Sequence, residues 1–319
     1  MQNEKLEFET TLQTVRSVLI KGAAPVGISK KVMDKMTNRL QFALNIWEDV
    51  VSELSDTIKE TSFPSDLDRK KKPYALDAIL IADALKLDAP SMPDLFKLYT
   101  LYYLELHLID DMMEDQKKFQ SKFHNREGIS ANLNHIEARK LFPILFNLTA
   151  VKLISKNNDL SSDKKITVLE LLNKSLLKQI RYMSIEKADL TVEQVFEAKE
   201  HMVSGEATST MADLLNTVFD FDVEKFIALK KMLFYLGSLT QFTDDIRDYA
   251  EDLDNGNANL LVSLKRAFGE ELGIEKLLAM YDIEQSNMKR WSDNFSFSVD
   301  FELLSSIPLH PFVVKKLLG

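Results

Sequence analysis

The chain has no cysteine, which excludes disulfides and thiolate metal sites and fits a reducing compartment. Glycine and proline are scarce, at 9 and 8 of 319 residues, so the chain has few places to turn sharply. No segment alternates apolar and polar residues convincingly, which removes the usual signal for half-buried strands. No apolar run approaches the ~18 residues needed to cross a bilayer. Basic residues are outnumbered, with 40 Lys and Arg against 49 Asp and Glu and a formal charge of −9; a general nucleic-acid binder would need a broad basic surface. The start, Met1-Gln2-Asn3-Glu4-Lys5, lacks the basic stretch and apolar core of a signal peptide. With 45% hydrophobic residues and no linker-like break, the expectation is one all-α domain over residues 1–319, cytoplasmic, with no nucleic acid among its partners.

What is present is helical periodicity. A first helix is expected over roughly the first twenty residues, ending at Gly22-Ala23-Ala24-Pro25-Val26-Gly27. Ser29 is placed to cap a second, running to about Glu60, with Met33, Met36, Leu40, Ala43, Leu44, Trp47 and Val51 on its inner face. Residues 61–68 read as a loop, followed by Arg69-Lys70-Lys71-Lys72-Pro73, where the proline suits a helix start. Further helices are expected over 73–87, 92–118, 130–156 (with a kink at Pro143), 162–187, 192–217, 223–253, 260–268 and 270–294. Thr191-Val192-Glu193-Gln194 has the form of a capping box. The polar segment 119–130 interrupts the helices, and an apolar tail from Ile307 closes the chain.

Two acidic clusters carry the chemistry. In Gln241-Phe242-Thr243-Asp244-Asp245-Ile246-Arg247-Asp248-Tyr249-Ala250-Glu251-Asp252, the side chains of Gln241, Asp244, Asp245, Asp248, Glu251 and Asp252 share a helix face about 120° wide. Like charges about 4 Å apart repel by roughly 4 kcal/mol at an effective dielectric of 20. Such a face is either well solvated or binds cations, and oxygen-only ligands suit Mg²⁺ or Ca²⁺. The first cluster in chain order, Asp110-Asp111-Met112-Met113-Glu114-Asp115, likewise puts its acids on one face. Below it on that face lie Tyr99, Tyr103, Leu106 and His107, and below Gln241 lie Phe234 and Gly237. Two acidic mouths over apolar, aromatic or small residues suggest a pocket whose entrance takes metal and polyphosphate and whose interior holds a hydrocarbon. Aromatic faces there also suit a cationic intermediate.

At these residues the sequence resembles the class I isoprenoid synthase superfamily, which includes the trans-prenyl diphosphate synthases, squalene and phytoene synthases, and class I terpene cyclases. Asp110-Asp111-x-x-Glu114 looks like the first aspartate-rich motif, with Glu as third acid. Gln241-x-x-Asp244-Asp245-x-x-Asp248 matches the second motif of prenyl diphosphate synthases, at a similar separation. Lys70-Lys71-Lys72-Pro73 looks like a variant of their isopentenyl-diphosphate segment. Three of their features are absent. The arginine pair after the first motif is replaced by residues 116–128, with Arg126 and lysines. The later Lys-Thr pair is replaced by Glu206-Ala207 or neighbours in 201–208, and no lysine stands in Asp254-Asn255-Gly256-Asn257-Ala258-Asn259. Gln241-x-Thr243-Asp244-x-x-Arg247-Asp248-x-x-Glu251-Asp252, with Gly256 and Leu260, equally resembles squalene and phytoene synthases, and Ser204-Gly205 resembles their helix break.

The resemblance implies an all-α bundle around a deep central cavity and a Mg²⁺-dependent prenyltransferase-like enzyme. Several Mg²⁺ ions would bind with an allylic prenyl diphosphate and promote its ionisation, and a carbon–carbon bond would follow. It implies Asp110, Asp111, Glu114 and Asp115 as metal ligands on one side. On the other stand Asp244, Asp245, Asp248 and Asp252, with Asp110, Asp111, Asp244 and Asp248 central to catalysis. Substrate contacts would come from Lys70, Lys71, Lys72, Tyr99, Tyr103, His107, Arg126, Phe234, Gln241 and Arg247. Gln241 would fix a ligand or bound water, and Arg247 would pair with a carboxylate or close over diphosphate. Homodimers are common among such proteins. Two alternatives stay open at this point: a terpene cyclase acting on one prenyl diphosphate, and a non-catalytic prenyl-diphosphate binder.

Overall fold

A computed structural model describes residues 29–60, 65–67, 74–114, 123–125, 135–183, 190–295 and 298–309. The helix expected over the first twenty residues and the tail beyond Leu309 lie outside the described residues. The helices are α1 (Lys30–Glu60), α2 (Ala75–Ala84), α3 (Met92–Glu114), α4 (His135–Ser155), α5 (Ser162–Met183) and the short α6 (Val192–Val195). They continue with a π-helix (Phe196–Gly205), α7 (Glu206–Phe219), α8 (Val223–Asn255), α9 (Leu260–Phe268), α10 (Glu270–Asn294), α11 (Phe301–Ser306) and a 3₁₀ turn (Ile307–Leu309). The fold is the all-α one expected.

Local chemistry explains most boundaries. Ser29 Oγ accepts a hydrogen bond from the Val32 amide at 3.3 Å, starting α1. Met36, Leu40, Ala43, Leu44, Trp47 and Val51 are buried as their spacing requires. The capping box at Thr191 is complete, with the side chains of Thr191 and Gln194 each accepting from the other's amide. Gly256 ends α8 at φ 70°, a left-handed conformation that suits glycine. Pro143 sits inside α4, and the carbonyl of Pro143 accepts from Asn147 Nδ2 at 2.8 Å. A continuous core runs through the bundle, from Val32 on α1 to Ile307 in the 3₁₀ turn.

Two features depart from the sequence expectation. Ser65–Leu67 (β1) and Phe123–Asn125 (β2) pair antiparallel, Leu67 opposite Phe123, where loops are expected. This ribbon ties the segment after α1 to the segment that follows α3. The expected helix 192–217 contains ten residues of π-winding, and such winding often marks a functional site. There the Ser204 hydroxyl donates to the Gly237 carbonyl at 2.9 Å and ties the π-helix to α8.

Beside α3, Leu98, Tyr102, Glu105, Phe146, Asn147 and Asn173 border a small, partly open pocket of about 20 Å³, room for one water. Burial pushes the Glu105 carboxyl up to about 8. The folded-state value lies above the ordinary 4.5, so the stability Glu105 contributes is fully present below that pH and is lost as pH rises through about 8. Between pH 5 and pH 8.5 the wild-type melting temperature should therefore fall more than that of Glu105→Gln. Equal slopes in the two proteins would show that Glu105 titrates normally.

Candidate active site

The second acidic cluster lies in the C-terminal third of α8, and the structure divides its acids between two tasks. Asp244 and Asp248 are partly exposed, at 33% and 40% of their side chains. Arg247 stands between them. Its Nε and Nη2 donate to the two oxygens of Asp248 at 2.9 and 2.7 Å, and its Nη1 lies 2.7 Å from Asp244 Oδ1. Burial alone would weaken the hold of the guanidinium on its proton, but Asp248 and Asp244 outweigh it and push the Arg247 value above the ordinary one.

Asp245 and Asp252, expected as metal ligands, are engaged elsewhere. Asp245 is 1% exposed. Its Oδ1 accepts from Gln241 Nε2 at 2.9 Å, and its Oδ2 accepts from the Leu260 amide at 2.5 Å, holding the first turn of α9. Lys199 Nζ on the π-helix lies 3.9 Å from Asp245 Oδ1 and donates to the Ala258 carbonyl at 2.5 Å. Burial raises the Asp245 carboxyl, against the pull of Lys199, the Leu260 amide and Gln241. Asp252 accepts from Asn259 Nδ2 at 2.8 Å and Asn257 Nδ2 at 3.3 Å. These two acids brace α8 against the loop 256–260, and Gln241 serves that brace instead of a ligand at the mouth. The sequence singles out none of Asn257, Asn259 and Lys199 for this brace; the local signal is Asn259 one residue before an apolar helix, where its Oδ1 caps the Val262 amide at 3.1 Å.

Across the mouth is α3. Asp110, Asp111 and Glu114 belong to its last turns, but their side chains lie outside the described residues, as do residues Asp115, Lys70, Lys71, Lys72 and Arg126. Below them the wall is aromatic. Tyr99 is fully enclosed, its ring 4.8 Å from that of Tyr103, so it supports the wall and does not line it. The Tyr103 hydroxyl meets Thr208 Oγ1 on α7 at 3.1 Å. His107 is exposed and stacks on Tyr74 at 4.8 Å with 14° between the ring planes. Tyr74, just before α2, feels both Arg247 and Asp244, and burial pushes its phenol up to about 12. Tyr103 also feels Asp244. The α3 wall and the exposed acids of α8 thus face each other, with Tyr74 between them. Nothing in its own helix singles out Tyr74, because its contacts are all distant in sequence.

Phe234, expected in the lumen, lies instead against the π-helix. Its ring is 5.0 Å from His201, and a Cβ on Gly205 would come within 3.0 Å of it. His201 meets Glu197 through Nδ1 and Glu284 through Nε2, both at 3.2 Å. Burial alone would lower the His201 value, but Glu284 and Glu197 outweigh it and raise it. Neighbouring Glu200 is fully buried, with neither oxygen hydrogen-bonded among the described residues. Burial, with Asp245 nearby, pushes its carboxyl well above the usual carboxylate range. Among the described residues no three His, Asp or Glu side chains are grouped to hold a metal ion. The α8 side of the mouth offers two carboxylates, which is what Mg²⁺ commonly takes from a protein when phosphates supply further oxygens.

No protein-family model and no curated protein matches the sequence. Solved structures do. The chain is similar to geranylgeranyl pyrophosphate synthase from Corynebacterium glutamicum ATCC 13032, with 17% identity, a TM-score of 0.58, and 94% of this chain and 98% of that one covered. It is similar to polyprenyl synthase from Caulobacter crescentus CB15, solved with calcium and isoprenyl diphosphate, at 16% identity and a TM-score of 0.57, covering 88% and 97%. A geranyltransferase from Legionella pneumophila matches at 14% identity and a TM-score of 0.57, covering 92% of this chain and all of that one. The protein therefore has the class I isoprenoid synthase fold, in the form taken by the trans-prenyl diphosphate synthases.

Proposed function

We propose that this protein is a Mg²⁺-dependent prenyltransferase that ionises an allylic prenyl diphosphate and forms a carbon–carbon bond. The observation that carries this reading is the exposed Asp244–Arg247–Asp248 unit on a prenyl synthase fold, opposite the aromatic wall of Tyr74, Tyr103 and His107. Asp244 and Asp248 would hold Mg²⁺ on one side, and Asp110, Asp111, Glu114 and Asp115 on the other. The bound metal would neutralise the leaving diphosphate. Arg247 would turn from its carboxylates to the diphosphate, with two bidentate-capable edges for phosphate oxygens. Lys70, Lys71 and Lys72 would hold the second diphosphate, with Arg126 as a further cation. The aromatic wall would exclude water from the cation.

One observation favours a second reading, cyclisation of a single prenyl diphosphate. Around the position where elongating enzymes carry Lys-Thr, this chain has Glu206, whose Oε2 is paired with Lys178 Nζ at 2.8 Å. Incubation with Mg²⁺ and geranyl, farnesyl or geranylgeranyl diphosphate, with and without isopentenyl diphosphate, separates the readings by mass spectrometry. Longer diphosphates mean elongation, hydrocarbons or alcohols from one substrate mean cyclisation, and coupled hydrocarbons or cyclopropyl diphosphates mean head-to-head joining. Binding without turnover would leave a prenyl-diphosphate binder.

Among the described residues no helix is long and apolar enough to cross a membrane. The helix α4 exposes Ile144, Leu148 and Val151 on one face, at 54%, 43% and 47%, with Ile166 and Leu177 exposed on its neighbour α5. Such a stripe is costly in water, and a second copy of the chain is the partner we assign to it. Leu148→Asp should convert a dimer to a monomer in sedimentation velocity; a wild type that already sediments as a monomer would overturn the assignment.

A further inference from the structure

A carboxyl taken out of water needs a counter-charge or hydrogen-bond donors. The described residues give Glu105 Oε1 neither. Glu105 stands on α3 and is 8% exposed, and its Oε1 is buried without a hydrogen-bond partner. Burial is what raises its carboxyl, and no charged side chain pulls against it. The hydroxyl of neighbouring Tyr102 is committed elsewhere. Thr210 Oγ1 donates to the Glu206 carbonyl at 3.2 Å, so Ser175 must donate to Thr210 at 2.6 Å and Tyr102 to Ser175 at 2.7 Å. That chain uses all three protons, and none is left for Glu105.

The pocket that Glu105 borders lies between α3, α4 and α5, with room for one water in about 20 Å³. Asn147 on α4 ties its Nδ2 back to the Pro143 carbonyl at 2.8 Å, so Oδ1 is the amide atom left for the pocket. Asn173 on α5 adds a second carboxamide to the lining, and no Lys, Arg or His borders it among the described residues. Oxygen acceptors with no protein cation beside them suit a hard cation. One carboxylate balances one positive charge, whereas Ca²⁺ gathers about 6–8 oxygens and Mg²⁺ demands a near-ideal octahedron. We infer that this pocket is a site for one monovalent cation of the size of water, K⁺ or ammonium, held by Glu105 and Asn147 and completed by water on its open side. The bound ion would pin α3 to α4. Proton and cation compete for Glu105. Its folded-state value is about 8, so the carboxylate is available above that pH, and the hold on the cation weakens about tenfold per pH unit below it. Tyr102 is the titratable neighbour that feels Glu105, and burial holds its phenol well above the ordinary value. The residues that α4 and α5 bring to the lining carry no charge.

The test compares melting temperatures in potassium, ammonium and choline chloride at equal ionic strength, choline being too large for the pocket. At about pH 9, K⁺ or ammonium at roughly ten times its dissociation constant should raise the melting temperature by about 2 °C over choline. At about pH 6 the difference should vanish, because the proton then holds Glu105. Glu105→Gln, which keeps the shape and removes the charge, should melt alike in all three salts at either pH. A wild type that melts alike in the three salts at the higher pH would overturn the site and leave a water in the pocket. A Glu105→Gln protein that keeps the wild-type response would also overturn it, by placing the cation elsewhere. A second readout needs no variant. Near pH 8, saturating K⁺ or ammonium should release about half a proton per chain into weakly buffered solution, and release no greater than choline causes would overturn the proposal.

Discussion

Asp244→Ala should reduce pyrophosphate release from a prenyl diphosphate by at least 10²- to 10³-fold, the usual effect of removing one group that stabilises developing charge. The fold should survive. Asp244 is partly exposed, and its partner Arg247 retains both contacts to Asp248. Exposed ion pairs of this kind contribute about 0–1 kcal/mol, so the circular dichroism and melting temperature should stay near wild type. Asp245→Ala, one residue along, should behave in the opposite way. It would strip the Leu260 amide, the Gln241 amide and Lys199 of a buried partner. Breaking a buried charged network from one side costs about 3–5 kcal/mol, so this variant should lose much of its stability. Full turnover by Asp244→Ala would remove α8 from the catalytic site. Asp110→Ala, on the facing wall, should likewise abolish turnover and keep the helical spectrum.

Gly237→Ala should be the most damaging methyl group in the described part of the chain. A Cβ at that position would come within 2.3 Å of the Ser204 carbonyl and within 2.6 and 2.8 Å of Thr208 Oγ1 and Cβ. The first of these is backbone, already fixed by the π-helix and by the hydrogen bond from Ser204 to the Gly237 carbonyl. Overpacking typically costs about 1–3 kcal/mol and more where neighbours cannot yield. A loss of about 3 kcal/mol is expected, a fall of roughly 4–5 °C in melting temperature for a chain of this size. Gly273→Ala, where the approach to Lys265 backbone atoms is 2.9 Å, serves as a milder comparison. Wild-type stability in Gly237→Ala would mean that α8 and the π-helix stand further apart than described.

Helical period made the acidic faces visible in the sequence, because residues three and four apart must share a face. It could not say what packs against that face. Asp245 falls about 100° around the axis from Asp244, still within the acidic arc, yet that side of α8 meets Lys199 and the start of α9. Period fixes direction about a helix axis, and tertiary contact fixes the environment. Phe234 was misplaced for the same reason, since the partner that claims it is Gly205 on the π-helix. The ribbon of 65–67 and 123–125 left no trace because three residues are too few for an alternating pattern. A ten-residue π-segment likewise cannot be told from an α-helix by apolar spacing. Tyr74 stands out only after folding, when Trp47, His107 and α8 converge on it.

The closeness at Gly237 also has a mechanical side. The helix α8 is one uninterrupted rod of 33 residues, about 50 Å long at 1.5 Å per residue. Its pivot against the π-helix lies some 16 Å along the axis from Asp248, by the same rise. A tilt of about 5° at the pivot would move Asp248 by roughly 1.4 Å, and a misplacement of about 1 Å can cost a hundredfold in rate. The missing side chain of one interior glycine therefore acts as a fulcrum setting, and the position of Asp248 is calibrated deep inside the bundle.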